Sequence, residues 1–280
     1  MLRCDRITFP KKHRRNKTEN PIENPVGAKG FRPPKYIASP PKFSSPHNPK
    51  LTLILFPLTL SLTYANPAIA QIIPDTTLGA ESSILTPLDA LHQRIDGGAI
   101  RDSNLFHSFQ DFSINDRSGA FFSNPAGIEN ILTRVTGDNP SNIFGTLGVL
   151  GNANLFLLNP NGIVFGPNAR LDVGGSFFAS SAESLVFADG YQFSATNPNA
   201  PPLLTVNVPI GLQFGATSGA IVNQSVATND AGEVRGLQVP SGETLALVGG
   251  NVTLDGGNLQ PRGGQVELGG LAGAGTVGVN

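Results

Sequence analysis

Apolar residues along this chain recur in short runs, most of them four to six residues long and bounded on at least one side by asparagine, glycine or proline. "NLFHSFQDFSI" (Asn104–Ile114), "NLFLL" (Asn154–Leu158), "GIVF" (Gly162–Phe165), "ARLDV" (Ala169–Val173), "SFFAS" (Ser176–Ser180) and "LLTVNV" (Leu203–Val208) all have this form. Short runs bounded by turn residues predict β-strands. "PLDALHQRI" (Pro87–Ile95) is the exception: its spacing predicts a short amphipathic turn, broken at once by Gly97–Gly98.

Towards the C-terminus the pattern acquires a period. Gly-Gly pairs begin at Gly249, Gly256, Gly263 and Gly269, at intervals of 7, 7 and 6, and enclose "NVTLD", "NLQPR" and "QVEL". Three such strands with their corners take about 20 residues, the size of one coil of a three-sided parallel β-helix. At about 4.8 Å per coil, residues 71–280 predict about ten coils and a length of about 50 Å. Each corner must turn the chain within two or three residues, often with φ > 0, which Gly and Asn tolerate. Pro160 and Pro167 fit where no ladder donor is needed. Asparagines at equivalent corners are expected to hydrogen-bond from coil to coil. Ile163, Val164, Phe165, Leu171 and Val173 are expected to point alternately in and out of the walls. Phe106, Phe109, Phe112, Phe121 and Phe122 are expected mostly in the core, with a few forming an edge open to strand addition. The less periodic N-terminal half is expected to hold a cap and an extra hairpin. The glycine-rich end, "GGLAGAGTVGV", shows no cap, so either further coils are expected beyond Asn280 or the end frays or dimerises.

Composition divides the chain in three. Residues 1–50 hold 12 of the 19 basic residues and 3 of the 20 acidic ones, with many prolines. They read as a disordered basic segment or as sequence upstream of the true start. Residues 51–70 read as a signal-peptide core, "LTLILFPLTLSLTY", followed by Ala68–Ile69–Ala70, which predicts cleavage before Gln71. The run is too short to span a bilayer as a helix. Residues 71–280 then carry 7 arginines against 17 acidic residues, which excludes a nucleic-acid surface. The single cysteine, Cys4, lies outside this body, so no disulfide and no cysteine metal site forms there.

Reactive chemistry is sparse. His107 stands beside Ser108 and near Asp111, but adjacent strand residues point to opposite faces, so His107 and Ser108 diverge. No G-x-S-x-G elbow occurs. Asp111, Asp116, Asp172 and Asp189 are spread out, with no visible pair for glycosidase work. "LDGGNLQPRGG" keeps only fragments of a calcium-binding nonapeptide, and "RVTGDNPSN" (Arg134–Asn142) reads as a turn. We expect no catalytic residue, no metal ligand and no cofactor.

Four stretches carry a family resemblance: "DTTLGAESSIL" (Asp75–Leu85), "IDGGAIRDSNLFHSFQDFSI" (Ile95–Ile114), "NILTRVTGDNPSNIFGTL" (Asn130–Leu147) and "NANLFLLNPNGIVFGPNARLDVGGSFFASSA" (Asn152–Ala182). They resemble the N-terminal secretion domain of filamentous-haemagglutinin-like exoproteins, the cargo of two-partner secretion, in its cyanobacterial style. The resemblance implies an all-β, right-handed parallel β-helix with an N-terminal cap. It implies a cleavable signal, passage through the periplasm, and an extracellular or cell-surface destination. It also implies recognition by an outer-membrane β-barrel transporter through periplasmic polypeptide-transport-associated domains. A cell-surface or polysaccharide target stands open as a second partner. The family motif N-P-N-G-I is intact as Asn159–Pro160–Asn161–Gly162–Ile163, whereas N-P-N-L is altered to Asn124–Pro125–Ala126–Gly127. Each motif reads either as a transporter signal or as corner stabilisation. The competing reading of the whole chain is a β-helix that binds or cleaves carbohydrate.

Overall fold

Turn chemistry cuts the chain into short strands, and the pairing of those strands decides the rest. The computed structural model describes residues 72–198, 209–261 and 263–279; the basic segment 1–50, the expected leader 51–70 and the expected strand Leu203–Val208 lie outside them.

β1 (Ile72–Pro74), a 3-10 turn at Gly79–Glu81, β2 (Ser83–Pro87), β3 (His92–Gly97) and β4 (Ala99–Arg101) precede the first long strand, β5 (Asn104–Phe112). β1 and β4 pair antiparallel with β5, and β2 pairs antiparallel with β3. Antiparallel pairing thus occupies strand edges at the N-terminal end, as a solenoid cap requires. The expected extra hairpin is β2–β3. It also corrects the amphipathic turn expected over Pro87–Ile95, where the chain ends one strand and begins the next. The Asp89 carboxylate accepts the N–H groups of Leu91 and His92, fixing a tight reversal. His92–Ile95 then joins a parallel ladder with β6 (Gly119–Ser123). A helix of nine residues cannot sustain itself in water, so the ladder wins.

β7 (Asn130–Val135), β8 (Ser141–Ile143) and β9 (Thr146–Leu150) make the next coil, and β10 (Asn154–Leu158), β11 (Ile163–Phe165) and β12 (Arg170–Asp172) the one after. β13 (Phe177–Ser180) opens a coil that is interrupted. β14 (Ser184–Phe187), β15 (Gln192–Ser194) and β16 (Pro209–Phe214) leave the solenoid before β17 (Ala220–Asn223) and β18 (Leu237–Val239) complete it. β19 (Thr244–Gly249), β20 (Asn251–Leu254) and β21 (Leu259–Pro261) follow, then β22 (Gln265–Gly270) and β23 (Gly275–Gly278).

The first face stacks β5, β7, β10, β13, β19 and β22, all parallel; the second stacks β8, β11, β17 and β20. β3, β6, β9 and β12 form the third, with the β18–β21 pair beside β12. This is a three-sided parallel β-helix. Along the first face Asn104 pairs with Asn130, Asn130 with Asn154, Leu155 with Phe177, Phe177 with Leu245 and Leu245 with Val266. Successive turns therefore take 26, 24, 22, 68 and 21 residues. The 21-residue turn is the coil that the glycine period predicts. The 68-residue turn corrects the expected number of coils. Six rungs stand on this face, spanning about 24 Å at about 4.8 Å per step.

The inserted strands build an antiparallel sheet, β15-β14-β16-β23. β23, from the glycine-rich end expected to lack any cap, turns back onto β16. Two cores result. One fills the solenoid, with Leu105, Phe109, Phe112, Phe122, Ile131, Leu155, Ile163, Phe165, Phe177 and Leu245 among its members. The other lies outside the first face, where Phe106, Leu132, Phe156 and Leu158 meet Leu185, Phe187, Phe193 and Phe214 of the insert. Side chains on this face alternate between the two cores, so the buried–exposed alternation is lost and all six residues of β7 are buried. Parallel strands covered on both sides behave this way. On the second face alternation holds: Ile163 and Phe165 are buried and Val164 is half-exposed.

The coil-to-coil amide ladder forms at the start of the first-face strands. Asn130 Nδ2 donates to Asn104 Oδ1 at 3.1 Å, and Asn154 Nδ2 donates to Asn130 Oδ1 at 3.0 Å. Asn154 Oδ1 accepts the Ser176 N–H, and Ser176 Oγ donates to Glu243.

Candidate functional site

The Asn159–Ile163 motif occupies the corner between β10 and β11. Asn159 is fully buried, and its side chain is saturated. Nδ2 donates to Asn139 O at 3.0 Å and to Ser141 Oγ at 2.9 Å, both in the preceding coil. Oδ1 accepts the Asn161 N–H at 3.0 Å, and Asn159 O accepts the Gly162 N–H at 3.0 Å, which closes the turn. Gly162 has φ 106°, and a Cβ there would lie 2.6 Å from Ala220 O in the following coil. No other residue fits. Pro160 O accepts the Gly219 N–H, so the motif bonds to the coils on both sides. Ile163 drops into the solenoid core. Pro160 is half-buried and Asn161 is exposed, with Asn161 Nδ2 donating to Gly137 O at 2.7 Å. The motif is thus a corner whose outward part is the Pro160–Asn161 pair.

The altered motif lies at a different corner, between β6 and β7. Asn124 Nδ2 donates to Ile128 O, and its Oδ1 accepts the Ala153 N–H of the next coil. Pro125, Ala126 and Gly127 are exposed, and Gly127 takes φ 87° in open space. Asn124 therefore ties one coil to the next as Asn159 does, through fewer bonds.

The turn read at Arg134–Asn142 underlies the first motif, since Gly137 O and Asn139 O are the acceptors used by Asn161 and Asn159. One of its two asparagines, Asn139, donates from Nδ2 to Asp111. Asp116 accepts from Asn168 Nδ2, while Asp172 lies on β12 and Asp189 in the β14–β15 turn. Among the described residues no group of three or more His, Cys, Asp or Glu could hold a metal ion.

His107 and Ser108 diverge, as their adjacency predicts. His107 points inward, where Nδ1 lies 2.9 Å from Ser83 Oγ of the cap and Nε2 is buried without a partner. Burial, opposed by the Asp96 charge, pushes the imidazole down to about 3. A ring so enclosed stays neutral and reaches no solvent. Ser108 points outward and donates to Asp75 Oδ2 at 2.7 Å, in a cluster centred on the buried Arg134. Sequence reasoning missed that cluster. Its signal was a lone charge inside the otherwise uncharged strand "NILTRV". Asn223 was missed too; its Oδ1 accepts the Ser225 N–H and its Nδ2 donates to Asn258 O, which repeats the Asn159 arrangement at the β17 corner.

Comparison with known proteins agrees with this architecture. The crystal structure of the HMW1 secretion domain from Haemophilus influenzae is similar with a TM-score of 0.51 at 20% identity, over 75% of this chain and 46% of that one. The chain thus spans about half the length of that structure, and the likeness is one of fold. The filamentous hemagglutinin secretion domain is matched at 18% identity with a TM-score of 0.31, over 71% of this chain and 99% of that one. No curated protein matches. The family profile of the TPS secretion domain matches residues 70–280, which take in the cap, every coil and the insert. The chain belongs to the TPS secretion domain family and carries the secretion module of a two-partner secretion exoprotein.

Proposed function

We propose that residues 71–280 are non-catalytic cargo, bound in the periplasm by the transport-associated domains of an outer-membrane β-barrel transporter and folded coil by coil outside. In this reading residues 51–70 direct the first membrane crossing and are removed before Gln71. The product is an adhesin-type protein at the cell surface or beyond it. The family match begins at residue 70, beside the expected cleavage point, which supports that boundary.

The observation that carries the proposal is the division of labour within the intact motif. Asn159, Gly162 and Ile163 are consumed by packing, whereas Asn161 faces outward on a rigid corner. Folded, the motif offers a partner only Pro160 and Asn161; extended, it offers all five residues. The absence of cysteine from 71–280 also suits threading, because no cystine can close a loop before passage.

The test is export with a co-expressed cognate transporter. Asn161→Ala gives up the Nδ2 bonds to Gly137 O and, at 3.4 Å, to Asn159 Oδ1, worth about 1 kcal/mol each at most, so the domain still folds. Asn159→Ala strips the corner of its buried bonds. Both substitutions are expected to lower the exported amount. Normal export of folded Asn161→Ala would reduce this motif to architecture.

A further inference from the structure

Arg134 is the one buried cation among the described residues, and it sits between two elements that share no strand pairing. It projects from β7 into the outer core, 1% exposed. Its Nε donates to Ser108 Oγ at 2.9 Å and its Nη2 to Thr77 Oγ1 at 2.7 Å. Both hydroxyls pass the contact on to Asp75: Ser108 Oγ donates to Oδ2 and Thr77 Oγ1 to Oδ1, each at 2.7 Å. Thr136 Oγ1 donates to the same carboxylate. On its other side the guanidinium lies 4.4 Å from the centroid of the Phe193 ring and Nη1 donates to Ser194 O at 2.6 Å. Residues 75–77 belong to the cap, and residues 193–194 to the insert.

An isolated cation in an apolar sandwich is costly, and removing any one of its partners leaves the remainder underpaired. The cap segment supplies the counter-charge at one hydroxyl's remove. The insert supplies the π-face and a carbonyl, and covers the guanidinium against water. A docked insert therefore strengthens the cap's bonds by excluding competing solvent, and a docked cap lowers the cost of covering the charge. We infer that Arg134 is a two-sided latch, through which docking of the cap segment Asp75–Thr77 and docking of the β14–β16 insert favour each other. The positions joined are 57, 60 and 61 residues apart, so local sequence cannot form the latch. It closes only after Ser194 has folded, whichever machinery delivers the chain.

The test perturbs one side and reads the other by amide hydrogen exchange on the full chain. Thr77→Val removes an acceptor of Arg134 and a donor to Asp75 without touching the insert. It is expected to speed exchange of the Ala195 amide, which bonds to Glu183 O, by about tenfold, within the usual span of site-to-site coupling. The Leu155 amide, bonded to Ser176 O inside the coil ladder, should keep its rate. In an Arg134→Met background the same Thr77→Val change should leave Ala195 unaffected, because the connection is already gone. If Arg134→Met does not fold, Arg134→Lys takes its place: its compact ammonium reaches fewer of the acceptors, so the effect of Thr77→Val on Ala195 should shrink. An unchanged Ala195 rate in Thr77→Val, or an equal effect in both backgrounds, would overturn the latch.

Discussion

Asn159 and Asn223 sit at different corners and solve the same problem. Each sits at the C-terminal end of a strand, Asn223 as its last residue and Asn159 just after it, accepts an N–H two residues ahead, and donates to a carbonyl in a neighbouring coil. A carboxamide suits this task because it offers donors and an acceptor on one short arm without charge. Asn159 stands out in the sequence because it begins N-P-N-G, a run of turn formers. Asn223 does not, because an asparagine with serine two residues later is unremarkable in any loop. His107 was legible only in part. Its divergence from Ser108 follows from strand geometry, but its enclosure by Ser83, Phe109 and Phe122 comes from contacts across the cap and the first coil. That enclosure has a consequence for pH. The folded imidazole, lowered to about 3, stays neutral where an unfolded one near its ordinary value of 6.5 takes up a proton. Stability is therefore full above pH 6.5 and falls as pH drops towards 3, by about 1.4 kcal/mol per unit. Between pH 6.5 and 4.5 the loss should reach about 2 kcal/mol in urea unfolding, and His107→Gln should flatten that segment of the profile. Asp75 acts at lower pH. Burial works to raise its carboxyl, but hydrogen bonds from Ser108, Thr136 and Thr77 outweigh it, so its contribution fades only below the ordinary carboxylate range.

At the scale of the element, strand existence was readable and strand partnership was not. Asn154–Leu158 forms as the sequence predicts, and the runs at 162–165, 169–173 and 176–180 lose only their ends. The failure at Pro87–Ile95 has a physical cause. Spacing of apolar residues measures a segment's own amphipathicity, whereas His92–Ile95 is fixed by pairing with Gly119–Phe122, which the spacing does not contain. The amide ladder marks the opposite case, since asparagine opening successive apolar runs is by itself a sign of stacking. Its central member should be the most sensitive. Asn130→Ala removes the bonds to both the buried Asn104 and the half-buried Asn154, at a cost of about 2 kcal/mol. Asn154→Ala added to it should cost less than it does alone, because the two share a bond. Denaturant midpoints of the single and double variants check this, and strict additivity would mean that the ladder is merely geometric.

The described residues form a stack whose coils bond to the coils above and below, with one face covered by an insert. If it crosses the outer membrane extended, a covalent tie between coils should stop it. Asn142 and Val164 are register neighbours on the second face, close enough for a cystine. The Asn142→Cys, Val164→Cys pair, oxidised before transit, should sharply lower the exported amount, and added reductant should restore it. Equal export under oxidising and reducing conditions would show passage in a folded state. Belonging to the TPS secretion domain family is consistent with the cystine-free body and the coil-sized glycine period, both visible in the sequence.

The sequence alone determined where the chain bends, which runs become strands, the length of the regular coil and the absence of cross-links. Those properties depend on residues within one turn of each other, through φ preferences, apolar spacing and residue chemistry. Only the tertiary structure decided that one turn would take 68 residues, that β7 would be buried on both sides, and that Arg134 would lie between cap and insert. The physical reason is reach. Each of those outcomes rests on contacts between residues dozens of positions apart, whose energies no local pattern records.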